Sequence, residues 1–441
     1  MNTQSRSSES MKKVLVIAYY FPPMGLSGVQ RTAKFVKYLP QYNWQATVLT
    51  VIPRYFAKDV TLLREIENLG TEIIRTKTLD PTRLFRSEGE IRLPPEWARK
   101  FFNRLGQVFF IPDNKIGWRW KAIEAATQLI KREKIHVIFA TAPPFTEFLI
   151  GAHLKSKFGI PLVFDYRDPW VDNPQNFYAT PFHRALHVYL EKKSLRAANK
   201  IVTINRRIKE ELLKRYPILS YEDVLIVPHG FDPEDFRIDG RVQLPVTDKM
   251  RITYSGTFMD DRNPTYFLQA LSRVFREKPN LRGRIEACFV GMFRDENMKI
   301  VRKLGLEKDV KVVGYVDHSE CVKYLLASDV LWLMLGKKKG MDMVSTGKLH
   351  EYFGARKFIL GCVPDGIAKT TILDSGGGIV VEPDKPDEIA RAIVSLYGRY
   401  ERRELKPPSP EFVDRFDRSK LAGDLAKVFE FVMERKVPNG R

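Results

Sequence analysis

Only three cysteines occur in 441 residues, Cys288, Cys321 and Cys362, and none stands at metal-ligand spacing from another. That excludes a disulfide scaffold and points to a reducing compartment. The seven histidines are scattered without a zinc pattern. No stretch approaches 18 consecutive apolar residues, so no membrane-spanning helix is expected. Residues 1–10 are polar and have no apolar core; they read as a short disordered lead, with Met11 a second candidate start, and not as a secretory signal. There is no repeat of short period and no nucleic-acid-binding module.

What is abundant is positive charge, with 73 Lys and Arg against 53 Asp and Glu, a net +20. Such a balance suits a phosphate-bearing substrate, a membrane surface or nucleic acid, and it also suits plain solubility. Hydrophobic residues make up 44% of the chain, ample for real cores. Apolar runs that read as strands alternate with helical patterns. One series comprises 12–20, 46–51, 137–140, 162–165, 200–204 and 224–227, with helices through Tyr38 and over 145–158 and 181–198. A second begins at 251–256 and continues at 285–290, 310–313, 330–335, 358–360 and 378–381. Strands separated by helices predict parallel sheets covered on both faces. Two series predict an α/β fold of two doubly wound, Rossmann-like domains facing across a cleft, over 11–235 and 250–410. The polar stretch 232–249 reads as the linker. Residues 411–441 read as a C-terminal helix, near 418–435, that could cross back to the first domain.

Ligands of such sheets bind beyond the carboxyl ends of the strands. Several strand ends carry suitable residues. Lys348 and Glu351 fall three apart at the start of a helical pattern, after Thr346 and Gly347, so they share one face near a positive dipole end. Lys348 offers charge to a phosphate and Glu351 an acceptor to sugar hydroxyls, together a description of a nucleotide sugar; a solvated ion pair would show the same spacing. Gly25 and Gly28 follow the first strand and allow close backbone approach, though they lack the three-glycine dinucleotide spacing. Ser255 and Gly256 end the first strand of the second domain, Arg262 follows before a helix opening near Pro264, and Gly314 and Tyr315 end a further strand. Arg167 and Asp168 follow a strand of the first domain, where either could orient an acceptor, or Asp168 could simply stabilise a turn before Pro169. His229 reads as hinge packing. Residues 97–134 hold nine Lys and Arg, three Asp and Glu, and interleaved aromatics including Trp97, Phe101, Phe102, Phe109, Trp118 and Trp120. That pattern suits a membrane interface or an amphipathic core helix.

Taken in order, Tyr19-Tyr-Phe-Pro-Pro23 with Gly25 and Gly28, Asp165-Tyr-Arg-Asp-Pro-Trp170, Pro228-His-Gly-Phe-Asp232, Ser255-Gly-Thr257, Gly314-Tyr315 and Lys348 to Glu351 resemble a family-four retaining glycosyltransferase of the GT-B fold. The resemblance covers roughly residues 11 to 435 and is nearest the branch that builds bacterial surface polysaccharides. It implies that the second domain holds the nucleotide sugar and that Glu351 is the second acid of a paired-glutamate motif, binding ribose hydroxyls. Met343 stands where the first acid would be. Thr257 stands where the family has an arginine and Arg262 where it has a lysine, so the diphosphate would rest on Arg262 and Lys348. Gly314 and Tyr315 match the turn that frames the base; Gly25 and Gly28 match the loop that closes over the donor phosphates.

The chemistry so implied is transfer of a hexosyl or N-acetylhexosaminyl group to a glycan or polyprenyl-linked acceptor, with departing diphosphate charge stabilised by two cations and a helix N-terminus. Asp168, Arg262 and Lys348 are the candidate catalytic residues. No cofactor is expected, and no metal, because no Asp-X-Asp stands in a strand-end loop; the loop 340–343 has one acid, Asp342. Expected partners are the donor, the acceptor and an anionic membrane surface, not nucleic acid. The expected location is cytoplasmic or peripheral at the inner membrane face. Two other functions fit the same residues: a nucleotide-sugar epimerase, and a non-catalytic nucleotide-sugar-binding partner in a glycan assembly complex.

Overall fold

A computed structural model describes residues 11–25, 27–53, 59–80, 96–173, 176–237, 243–258 and 262–434. The first sheet is built from β1 (Lys12–Ile17), β2 (Trp44–Val51), β3 (Glu72–Thr76), β4 (Val137–Ala142), β5 (Leu162–Tyr166), β6 (Lys200–Thr203) and β7 (Val224–Ile226). Its order is β3-β2-β1-β4-β5-β6-β7, all parallel. The second sheet has β8 (Met250–Ser255), β9 (Ile285–Val290), β10 (Val310–Gly314), β11 (Val330–Met334), β12 (Phe358–Cys362) and β13 (Gly378–Val381), in the parallel order β10-β9-β8-β11-β12-β13. Central strands such as β4, wholly buried, read as unbroken apolar runs because helices cover both faces.

The first domain carries α1 (Ser27–Tyr38), α2 (Val60–Glu67), α3 (Glu96–Phe109), α4 (Arg119–Arg132), α5 (Thr146–Phe158), α6 (Pro181–Ala197) and α7 (Arg206–Arg215). The second carries α8 (Thr265–Glu277), α9 (Asp295–Lys303), α10 (His318–Leu326), α11 (Gly347–Gly354), α12 (Ile367–Asp374), α13 (Pro386–Glu401) and α14 (Pro410–Val413). Polar side chains start several of them: Asp59, Thr180, Asn205, Thr346 and Ser409 each accept a first-turn amide. Pro264 is the residue before α8 rather than part of its first turn.

The last helix, α15 (Arg418–Glu434), packs into the first domain's core through Leu421, Leu425, Phe429 and Val432. Phe429 meets Trp44 and Phe139 edge-on, with ring centroids 5.1 and 5.5 Å apart. The second sheet has a core on each face. Trp332 of β11 faces α8 and α13, while its neighbours Leu331 and Leu333 face α11 and α12.

The stretch read as a polar linker is more than that. Asp232 caps a 3-10 turn (Pro233–Phe236) that contains Asp235, and with Glu65 the two surround the wholly buried ammonium of Lys34 at 2.6, 2.7 and 2.8 Å. Lys37 and the Tyr38 hydroxyl also meet Asp232. The acids of the crossing answer the lysines of α1, so the crossing is pinned.

Candidate active site

In each sheet the strand order reverses beside the first strand, between β1 and β4 and between β8 and β11. Crevices open at such points, and the candidate residues gather at both.

In the second domain, Gly256 follows β8 at φ +115°, and a Cβ there would overlap the Lys348 side chain. Glycine is thus what admits Lys348, whose ammonium donates to the Tyr254 hydroxyl at 2.7 Å and lies 4.4 Å from that ring's centre. Gly256 N–H donates to the Val290 carbonyl and Gly291 N–H to the Gly314 carbonyl, each at 2.7 Å, so the ends of β8, β9 and β10 form one shelf. Ser255 N–H donates to the Tyr352 hydroxyl at 3.1 Å, tying β8 to α11. Thr346 caps α11 by accepting the Leu349 amide, and Gly347 opens the helix with free space where a Cβ would be. Glu351, one turn on, is 19% exposed and lies 4.0 Å from His318 Nδ1.

In the first domain Arg167 is buried and spends its guanidinium on carbonyls: Nε on Ala142 at 3.2 Å, Nη1 on Gly28 at 3.0 Å, Nη2 on Pro143 at 2.6 Å. It clamps the first turn of α1 to the end of β4 across the crevice. A Cβ on Gly28 would come within 2.9 Å of Nη1, so Gly28 makes the clamp fit. Gly25 lies at the foot of α1, next to residue 26, which is outside the described residues. Asp168 is exposed to solvent. Crowding by protein raises its pKa above the ordinary carboxylate value, while the charges of Arg167 and Arg262 pull it back. Arg262 belongs to the second domain, so its charge acts on Asp168 from across the cleft. Tyr315 is also felt across it: burial, Asp59 of the first domain and Asp317 push its phenol up to about 12.

Arg31 makes a buried, forked pair with Asp165 at 2.9 to 3.2 Å and donates to the carbonyls of Val227 and Pro228. Burial drives the His229 pKa well below its ordinary value, and Arg31, His350, Arg167 and Arg418 add to the shift. His350, 6.0 Å away ring to ring, is pushed down to about 3 by burial, with Arg418 and Arg31 contributing. Both imidazoles are held neutral, by burial first and by the neighbouring arginines second.

Sequence reasoning missed four residues here. Gln30, His318 and Arg418 form a hydrogen-bonded chain between the domains. Arg294, just past the end of β9, has its Nε and Nη2 buried without a partner. None has a local pattern that could have marked it. Met343, where a family acid was expected, gives its carbonyl to Asn205 of the first domain at 2.9 Å, another tie across the cleft. Glu65, Asp232 and Asp235 come within reach of one another as metal ligands would, but Lys34 already holds the cation position among them.

The family model described as Glycosyltransferase Family 4 matches residues 78–235, and that described as Glycosyl transferases group 1 matches 249–399. An uncharacterized glycosyltransferase of Methanocaldococcus jannaschii is 21% identical over 245 residues, 54% of this chain and 60% of the relative, so the match spans less than two thirds of that protein. A glycosyltransferase from Rickettsia africae superposes with TM-score 0.64 at 13% identity, covering 96% of this chain and 99% of the other. Anabaena HepE in complex with UDP-glucose superposes with TM-score 0.65 at 15% identity, covering 95% and 99%. At such identities the superpositions speak for the fold.

Proposed function

The chain belongs to the family-four-like glycosyltransferases of the GT-B fold, and we propose that it moves a sugar from a nucleotide-diphosphate donor to a glycan or lipid-linked acceptor, with retention, in the building of a cell-surface polysaccharide. The observation that carries the reading is Lys348 seated over Gly256 at the end of β8, with Glu351 on the same face of α11. A diphosphate lying there would meet an ammonium and a helix N-terminus. Arg262 would complete the charge, and Glu351 would take the ribose hydroxyls. Asp168, facing Arg262 from the other domain, suits the acceptor side.

As the C1–O bond lengthens, charge grows on the departing diphosphate. Fixed cations stabilise that change most, because they bind the transition state better than the ground state. The acceptor hydroxyl then attacks the face from which the diphosphate leaves, assisted by its phosphate oxygen. Lipid-linked acceptors fit a peripheral membrane site, and α3 offers one: Phe101, Phe102 and Phe109 are exposed, as is Trp120 on α4. Trp118 is instead core, and the side chains of Trp97 and Lys100 lie outside the described residues. Among the described residues no helix is long and apolar enough to cross a membrane.

Product analysis with a panel of nucleotide sugars tests the reading. Expected is transfer with retained anomeric configuration that persists in a chelator. Free epimer, no turnover with any donor, or loss of transfer restored by magnesium or manganese would each contradict a stated part of it.

A further inference from the structure

The chain of contacts between α1, α10 and α15 has a direction that decides which atoms carry protons. Arg418 Nη1 donates to Gln30 Oε1 at 3.0 Å. An arginine cannot accept, so the amide of Gln30 must point its oxygen at Arg418 and its nitrogen away. That nitrogen lies 2.8 Å from His318 Nδ1. An amide NH2 only donates, so Nδ1 must be the bare, accepting nitrogen. The ring's other nitrogen, Nε2, is 3.1 Å from Asp235, a carboxylate, and carries the proton. The neutral Nε2–H form is therefore the one that joins the domains through Gln30.

A proton added to Nδ1 sets two donors facing each other at Gln30. The amide cannot turn over without giving Arg418 its NH2 group. A carboxylate oxygen, Glu351 Oε1, lies 4.0 Å from Nδ1 and can take up the new proton's bond. The Asp235 contact survives, since Nε2–H donates in both forms. Adding one proton thus trades the Gln30 tie for a hold on Glu351.

We propose that His318 is a positioning residue for donor binding: its neutral ring ties α1 to α10 and leaves the Glu351 carboxylate open to the donor, and its protonated ring claims that carboxylate. This rests on Glu351 being a donor-binding acid, as proposed above.

The charges around the ring set where the exchange falls. Lys34 on α1 and, behind it, Glu65 on α2 face it from the first domain; Asp235 faces it from the crossing and Glu351 from α11. Arg418 on α15 reaches it through Gln30. Burial opposes the charged ring, but the Asp235 bond and the Glu351 and Asp235 charges outweigh it and hold the pKa above 6.5. The protonated His318–Asp235 pair then stabilises the fold below about pH 6.5, a contribution lost as pH rises through the raised pKa. Acid therefore weakens donor binding through this residue without weakening the fold.

The test is calorimetric binding of UDP-glucose, GDP-mannose, CDP-glucose and ADP-glucose between pH 6 and 8.5, a range in which their diphosphate diesters do not titrate. For whichever binds, the wild-type Kd should rise roughly tenfold as pH falls, the scale of one charge-assisted hydrogen bond. Gln30→Glu puts a carboxylate where the amide was, so the protonated ring keeps a partner at position 30 and Glu351 stays open; its Kd should be nearly flat with pH. His318→Gln should also be flat, and the wild-type thermal midpoint should not fall over the same range. An acid rise of equal size in both variants, or a flat wild-type profile, overturns the proposal while leaving donor binding intact. If no nucleotide sugar binds at any pH, the donor-site reading itself falls, and this one with it.

Discussion

Lys348 owes its place to a glycine one strand away. At Gly256 a side chain would meet both a backbone strained for any L residue and the lysine's own methylenes. Gly256→Ala should therefore act on catalysis first and stability second. The lysine end is flexible and can move aside, so the fold should lose about 1–3 kcal/mol, the cost of a strained backbone angle. Displacement of the ammonium should lower kcat by one to three orders of magnitude, the range seen when a preorganised charge-stabilising group is removed. Lys348→Ala and Arg262→Ala should likewise lower kcat more than donor affinity, and Glu351→Gln should weaken donor binding with the fold intact. Steady-state kinetics beside thermal melts check this; unchanged kinetics in these variants would remove the second domain as donor site. The pair Lys348 and Glu351 was legible because it is local, three residues apart on one helix. Gln30, His318 and Arg418 were not, because their contacts join positions 288 and 388 apart in the chain. Arg167 looked like a ligand residue by its place after a strand. Only the three carbonyls around it reveal the clamp.

Among elements, the long buried strands declared themselves through unbroken apolar runs, and most began or ended within two residues of the structure. β3 (Glu72–Thr76) escaped notice because it is an edge strand, half buried along its length, with Glu72 and Arg75 breaking the pattern. α3 shows the opposite ambiguity. Apolar residues at helical spacing would mark a core face in most proteins, yet Phe101, Phe102, Leu105 and Phe109 are exposed. Arg104 beside them lies over Phe177 at 5.5 Å, so cations and rings are interleaved on one surface. If this surface meets anionic lipid, vesicles with anionic headgroups should co-sediment the protein, neutral ones should do so poorly, and salt should release much of it. Replacing Phe101, Phe102 and Phe109 together with serine should reduce the salt-resistant part of binding and leave the melting temperature nearly unchanged, because exposed rings contribute little to the fold. A clear drop in melting temperature would mean that these rings pack against something in the folded protein, and equal binding to both vesicle types would remove the electrostatic claim.

For the molecule as a whole, the chain crosses between its domains twice, and both crossings are held at one place. Phe231 on the outward crossing and Phe416 and Arg418 on the return exchange backbone hydrogen bonds, each at 3.0 Å, and Gly230 leaves no room there for a side chain. From that point α15 runs over the first domain and completes its core. The two domains thus have separate cores, one of which depends on α15. Phe429 is the sharpest probe of that dependence, being wholly buried against Trp44 and Phe139. Phe429→Ala should cost about 3–5 kcal/mol. In a domain of this size that is a fall of roughly 10 °C in the first domain's transition. The second domain's cores contain nothing from α15, so its transition should stay where it is. A bound nucleotide sugar seated on Lys348 should still raise that second transition by mass action. Scanning calorimetry separates the outcomes. Two transitions of which only one moves would establish independent cores; a single transition that falls as a unit would mean that the doubly pinned crossing makes the two domains unfold together.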